Sequence, residues 1–195
     1  MRFLVVYGHP VPGSFSAAVL DRLVVALEAE SHQVDLIDLY ADHFDPVLAE
    51  AQRQAVFDPD TADPVVADHV RRLLAAQGLV LVYPTWWGGL PAMVKGWLDR
   101  VLVLGAAYDL VPGRNRVTGR LRNIRRLAAV TSHGSSKLVN VVQGEPGKLL
   151  VTRQLRALCH WRCRTTWLAH YEDDRAGDEE RRAFLDRVEI VARRW

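Results

Sequence analysis

The sequence predicts an α/β protein built on a doubly wound parallel sheet of five strands, and three observations carry that prediction. Short apolar runs alternate with stretches of helical periodicity along the chain, the order that produces βαβ units. One run, residues 79–82, is apolar without interruption, as a strand buried on both faces must be. At 195 residues the chain is long enough for one substantial core and too short for two typical domains, so residues 1–195 are expected to form a single domain.

The elements follow in order. Residues 3–7 read as a first buried strand, and residues 17–30 as a helix whose apolar positions Val19, Leu20, Leu23, Val24 and Leu27 fall on one face. A second strand is expected over 33–38. The connection 39–64 is long and broken by Asp45-Pro46, Asp58-Pro59 and Asp63-Pro64, with room for a short helix at 49–57; connections of this length usually serve a rim or a partner. A helix over 65–76 leads into the central strand, which stops at Pro84 because proline has no N–H to extend a ladder. Pro91 then offers a preset first turn for a helix reaching Leu104. After a second long connection, 105–123, a strand is expected at 127–130, a helix at 149–158, a fifth strand at 165–169 and a closing helix at 178–194.

Composition bounds the function. Hydrophobic residues make up 49% and charged residues 25%, the profile of a soluble globular protein, and no apolar run approaches the ~20 residues of a membrane span. The apolar opening breaks at Gly8-His9-Pro10, too early for a signal-peptide core, so a cytoplasmic location is expected. The net charge of +2 gives no reason to expect a nucleic-acid partner. Cys159 and Cys163 lack a second Cys/His pair to complete a zinc site, which favours packed thiols and no metal. The arginines between 114 and 126 are the one local basic excess.

Right-handed crossovers bring the loops after strands one, three and four to one sheet edge. The first holds His9, Ser14, Phe15 and Ser16, where a helix N-terminus and hydroxyl donors suit a phosphate. Ser14 stands where a Walker A lysine would be required, which excludes that ATPase reading. The second holds Pro84, Thr85, Trp86 and Trp87, a flat aromatic wall beside two glycines. The third holds Thr131, Ser132, His133 and Gly134. A phosphate cradle, a wall for a planar ring and donors along the ring edge together describe a flavin nucleotide.

The stretch Tyr83-Pro-Thr-Trp-Trp-Gly-Gly-Leu-Pro-Ala-Met-Val-Lys-Gly-Trp-Leu-Asp-Arg100 resembles the signature of the flavodoxin-like NAD(P)H:quinone reductases, and the likeness extends to His9 with Ser14-Phe15, to Asp38-Leu-Tyr40 and to Phe44-Asp-Pro46. The resemblance implies a flavodoxin-like sheet of order 2-1-3-4-5 with helices on both faces. It also implies a homodimeric flavoprotein that passes hydride from NADPH or NADH to FAD or FMN, and then to a small-molecule quinone in the same pocket. By that likeness Pro84, Thr85, Trp86 and Trp87 line the flavin ring, and His9, Ser14, Phe15 and Ser16 hold its phosphate. Thr131, Ser132, His133 and Gly134 face the ring's pyrimidine edge, with His133 and Trp87 nearest the chemistry, and Asp99 is structural.

Departures from the family pattern fall in the same loops. His133 takes the place of a glycine, Val139 and Glu145 fall where a tyrosine and a histidine are usual, and Gly88 replaces an aromatic, which implies a roomier pocket. His133, expected in a loop and titrating near neutrality, is the candidate substitute for the missing pair. Two further readings accompany the resemblance: reduction of azo or nitro compounds, and service as a flavin-binding ancillary subunit of a potassium efflux system with a peripheral membrane partner.

Overall fold

The computed structural model describes residues 1–55 and 63–195. Five parallel strands, β1 (Arg2–Tyr7), β2 (Gln33–Asp38), β3 (Gly78–Pro84), β6 (Arg126–His133) and β7 (Arg164–Tyr171), form one sheet in the order β2-β1-β3-β6-β7. This is the expected 2-1-3-4-5 arrangement. All seven residues of β3 are buried, because β1 and β6 flank the strand while helices cover both faces.

Side-chain alternation divides the core in two. Leu4 and Val6 of β1 and Leu79, Leu81 and Tyr83 of β3 pack on one side, against α3 (Pro64–Ala75) and α4 (Ala92–Val101). Phe3, Val5 and Tyr7 with Val80 and Val82 pack on the other, against α1 (Phe15–Ala29) and the closing helix α8 (Asp178–Ala192). The period of two within each strand is what allows one run of apolar residues to serve both layers.

β3 ends at Pro84 as expected, in register with Ser132; the missing N–H costs nothing at a strand end. Several elements differ from the sequence expectation. The connection after α4 contains a hairpin of two three-residue strands, β4 (Tyr108–Leu110) and β5 (Val117–Gly119), too short to register as periodicity. The helical run expected from Leu149 begins earlier, passing from α6 (Pro146–Leu149) through a π-helical stretch (Leu150–Leu155) to α7 (Arg156–Leu158). An unforeseen helix, α5 (Lys137–Val142), has inverted amphipathicity: Asn140 is buried while Leu138 and Val142 are exposed. In the long first connection, α2 (Glu50–Ala55) matches the start of the short helix expected at 49–57; the end of that helix and the Asp58-Pro59 break lie outside the described residues.

Much of the signature after Pro91 fastens that connection to α4. Arg100, almost fully buried, donates to the Asp45 carbonyl, pairs with Asp63 at 2.6 Å and lies 5.0 Å over the Phe44 ring. Trp97 Nε1 donates to His69 Nδ1 at 3.2 Å, and His69 stacks on Phe44. A Cβ on Gly96 would run into the Pro46 carbonyl and ring. Cys159 and Cys163 are buried free thiols, and in the basic stretch Arg120 pairs with Asp109 while Arg122 donates to the Cys159 carbonyl.

Gly96→Ala is expected to cost about 1–3 kcal/mol, because the clash is with backbone that cannot swing away. A denaturant midpoint unchanged from the parent, at equal slope, would overturn the clamp.

Candidate functional site

At the carboxyl edge of the sheet the chain builds two adjoining cavities of about 470 and 870 Å3. Each wall begins with a sequence feature that ends a regular element.

After β1, Ser14 caps α1, its Oγ accepting from Ala17 N–H at 3.2 Å and sharing a hydrogen bond with the Tyr7 hydroxyl at 3.3 Å. The Phe15 and Ser16 N–H groups have no acceptor among the described residues, so they remain available at the positive end of a 15-residue helix. Val11 N–H donates to His9 Nδ1 at 3.0 Å, which in the neutral ring puts the proton on Nε2. His9, Phe15 and Ser16 line the smaller cavity.

After β3 the chain makes a two-residue hairpin. Trp86 and Gly89 exchange backbone hydrogen bonds at 3.2 and 3.0 Å, and Trp87 (φ 50°) and Gly88 (φ 74°) form the turn between them. Positive φ at both central residues is the geometry of a type I′ turn. Gly88 adopts it freely, whereas a tryptophan there is an outlier. The Trp87 side chain is fully exposed, and it lines both cavities. Pro84, Thr85 and Trp86 complete this part of the smaller cavity.

Strand β6 supplies the third wall. Ser132 and Gly134 line the smaller cavity and His133 and Gly134 the larger. Thr131 is buried and reaches the site through Thr85, whose Oγ1 lies 2.9 Å from its own. Ten of the twelve expected residues therefore line a cavity, while Ser14 and Thr131 act behind those that do. His133 departs from its expected loop placement: it closes β6 and is only 4% exposed. Burial lowers its pKa, against the opposing pull of the neighbouring Asn140 amide and the Glu145 charge, and Nδ1 has no partner within hydrogen-bond geometry among the described residues.

A fourth segment was not anticipated. Asp173 and Asp174, in a 3-10 turn after β7, line the smaller cavity, and Glu172 and Arg175 join the larger. Asp173 is offset by Arg181 Nε at 3.3 Å and has His170 Nε2 at 3.6 Å, and Arg181 rests over the Phe15 ring at 5.8 Å. The run Glu172-Asp-Asp-Arg175 at a strand's carboxyl end was the available signal. Among the described residues the smaller cavity has no lysine or arginine in its wall, so an anion there would rely on helix N–H groups and hydroxyls, leaving the carboxylates to accept from sugar hydroxyls. That donor set fits a nucleotide with a polyol chain, and the aromatic turn fits its ring. Among the described residues no group of three or more His, Cys, Asp or Glu gathers as metal ligands, and no helix is long and apolar enough to cross a membrane.

A family model described as Flavodoxin_2, flavodoxin-like fold, matches residues 1–189. Among curated proteins the chain is 28% identical over 166 residues to NAD(P)H dehydrogenase (quinone) 1 of Rattus norvegicus, covering 77% of this chain and 60% of that protein. It is 34% identical over 124 residues to an uncharacterized NAD(P)H oxidoreductase of Haemophilus influenzae, covering 63% of this chain and 60% of the other. The chain thus spans about three-fifths of the length of these relatives. Among solved structures, Smu.1420 from Streptococcus mutans UA159 superposes with a TM-score of 0.87 at 28% identity, each chain covered in full.

The buried histidines fix a pH response. His133 and His69 have pKa values lowered chiefly by burial, so below about 6.5 the unfolded chain takes up protons that the folded one refuses, and stability falls as pH drops from there toward the folded pKa values. The urea midpoint is expected to fall between pH 7 and pH 5, and His133→Phe, which keeps a ring against Tyr171, should flatten that slope. A variant with the parent's slope would count against a neutral buried His133.

Proposed function

The chain belongs to the Flavodoxin_2 family of flavodoxin-like proteins, and on that premise we propose that it is a flavin-dependent NAD(P)H oxidoreductase that delivers two electrons, as hydride, to a quinone. The observation that carries the reading is the convergence on one cleft of a helix N-terminus with free N–H groups, an aromatic turn and a polar strand end. When bound, the flavin supplies the hydride chemistry; the protein supplies binding, orientation and electrostatics. The N–H groups of Phe15 and Ser16, with the Ser16 hydroxyl and His9 Nε2, hold the phosphate, while Ser14 fixes the helix end. Pro84, Thr85, Trp86 and Trp87 bear on the ring. Ser132, His133 and Gly134 face its pyrimidine edge, where donors placed in advance favour the build-up of negative charge, and Thr131 orients Thr85.

We further propose that the working form is a homodimer. Helix α5 turns Leu138, Val141 and Val142 to solvent, and its Val139 borders the same cavity as the exposed Trp87. A second copy covering this face would bury the apolar residues and close the cavity from outside.

The purified protein is expected to carry, or take up, a flavin whose visible absorbance bleaches anaerobically with NADPH or NADH and returns with a quinone, with no other protein present. The mass of the released flavin identifies FAD or FMN. Trp87→Ala should weaken flavin binding roughly tenfold, the scale of one lost aromatic contact. A colourless protein that binds no added flavin would sink the proposal; turnover appearing only with a membrane fraction would favour the ancillary-subunit reading.

A further inference from the structure

The net charge of +2 conceals a strong separation. Residues 110–171 hold ten arginines and two lysines but a single acid, Glu145, so this third of the chain carries +11 and the remainder −9. Glu145 is itself engaged by Lys148 at 2.7 Å. The fold gathers six of the arginines on one face. Leu121 bridges Cys159, the Ile124 carbonyl accepts from His160 N–H at 3.1 Å, and the Arg125 carbonyl accepts from Arg164 N–H at 3.0 Å, which stitches the 120–126 loop to the segment before β7. Arg126 and Arg164 are register partners at the first residues of β6 and β7. Arg122 donates to the Cys159 carbonyl at 3.0 Å and Arg156 to the Trp161 carbonyl at 2.6 Å, drawing both guanidiniums to the same turn. The His160 pKa is lowered by burial and then by Arg125, Arg122, Arg162 and Arg156, so all four are felt at this ring. Among the described residues none of Arg122, Arg125, Arg126, Arg156, Arg162 and Arg164 pairs with a carboxylate, whereas the adjoining Arg120 pairs with Asp109. At the tip, Cys163 N–H donates to the His160 carbonyl at 2.8 Å and closes a turn with Trp161 and Arg162 at its corners. Trp161 is 71% exposed, with the His160 ring 5.9 Å from it and the Arg162 guanidinium 5.1 Å over it.

We propose that this face docks peripherally on an anionic phospholipid bilayer, its guanidiniums against headgroup phosphates and the Trp161 indole at headgroup depth. Like charges held this close repel one another, and an outside anion removes that cost. The planar fork of arginine matches a phosphate in two hydrogen bonds, and a cluster of six is of the size an anionic bilayer attracts, each group contributing about fivefold to binding. An indole at the corner of a turn reaches the interface without any helix entering the bilayer. A single-stranded nucleic acid would call for bare aromatic faces on which bases stack. Here the exposed indole already carries His160 and Arg162. The face lies at the amino ends of β6 and β7, roughly 23 Å along an eight-residue strand from the cavities at the other end. Docking therefore leaves the cavities open to solvent, and it is independent of what they bind.

The test is sedimentation of the purified full chain with vesicles of mixed phosphatidylcholine and phosphatidylserine, against vesicles of phosphatidylcholine alone. Binding to the anionic vesicles only is expected, weakening steeply between about 0.05 and 0.3 M salt as the screening length falls. Arg125 and Arg164 are exposed, and their side chains make no hydrogen bond among the described residues. Arg125→Gln with Arg164→Gln should thus keep the fold and weaken partition roughly thirtyfold, two groups at about fivefold each. Trp161→Ala should weaken it roughly tenfold. Arg182→Gln with Arg187→Gln removes the same charge from exposed positions of α8 and should leave partition unchanged; an unchanged urea midpoint shows each variant folded. Equal partition into both kinds of vesicle, or an equal loss in the α8 variant, overturns the proposal. So does tighter binding to a single-stranded DNA oligonucleotide than to the anionic vesicles. No step of the measurement reads flavin, so its failure and that of the function proposed above are distinguishable.

Discussion

The burial of β3 on both faces is the constraint on which the rest depends. A strand with all seven residues buried needs a neighbour on each side and a helical layer above and below. It obtains them only if the chain crosses over repeatedly in one hand. That requirement sends the ends of β1, β3, β6 and β7 to one edge and reverses the strand order there. The cavities are a consequence of this topology before any side chain is specified. The cavity walls are then lined by residues at the ends of the strands: Pro84, Ser132, and the turn at Glu172.

Two kinds of residue are interleaved in the stretch from Tyr83 to Arg100, and the structure separates them. The first half, to Gly89, makes the hairpin that presents Trp86 and Trp87. The second half does mechanical work: Gly96 admits Pro46, Trp97 satisfies His69, and Arg100 ties down Asp45 and Asp63. Arg100 is charged and almost fully buried, so removing either partner would strand an ion away from water. The clamp is carried by α4, whose first residue, Ala92, comes three positions after Gly89 at the end of the aromatic turn. Holding the long connection in place thus also holds the turn, and a residue's presence in a signature does not make it a ligand contact.

What was legible in the sequence follows the same division. Strands with period two, a helix with an i, i+3, i+4 stripe and loops interrupted by glycine are local patterns, and they gave the five strands and ten of the residues that reach the cavities, while the sheet order was what the family resemblance implied. Features that arise from pairing distant segments left no local trace. Tyr171 meets His133 because β7 lies beside β6 in a particular register, and nothing in the vicinity of either residue announces it. That pairing is also why His133 is buried when its loop-like surroundings, Ser-His-Gly-Ser-Ser, suggested exposure. Helix α5 was invisible because its apolar residues face outward, against the pattern by which a buried face is read. The hairpin β4–β5 fell below the length at which alternation means anything.

The distribution of backbone strain supports a working cavity over an incidental gap. Among the described residues five other than glycine have positive φ, and two of these, Trp87 and Glu172, line the larger cavity, while a third, Glu145, sits between wall residues Gln143 and Pro146. Each costs on the order of 1 kcal/mol or more relative to a glycine or asparagine in the same place. Trp87 is the most telling, because its side chain gains nothing within the chain that would offset the cost: it is fully exposed. A turn that only had to reverse the chain would be better made with asparagine and glycine. An aromatic side chain kept there against that preference fits the proposed role of Trp87, to meet a planar ring bound in the cavity it borders.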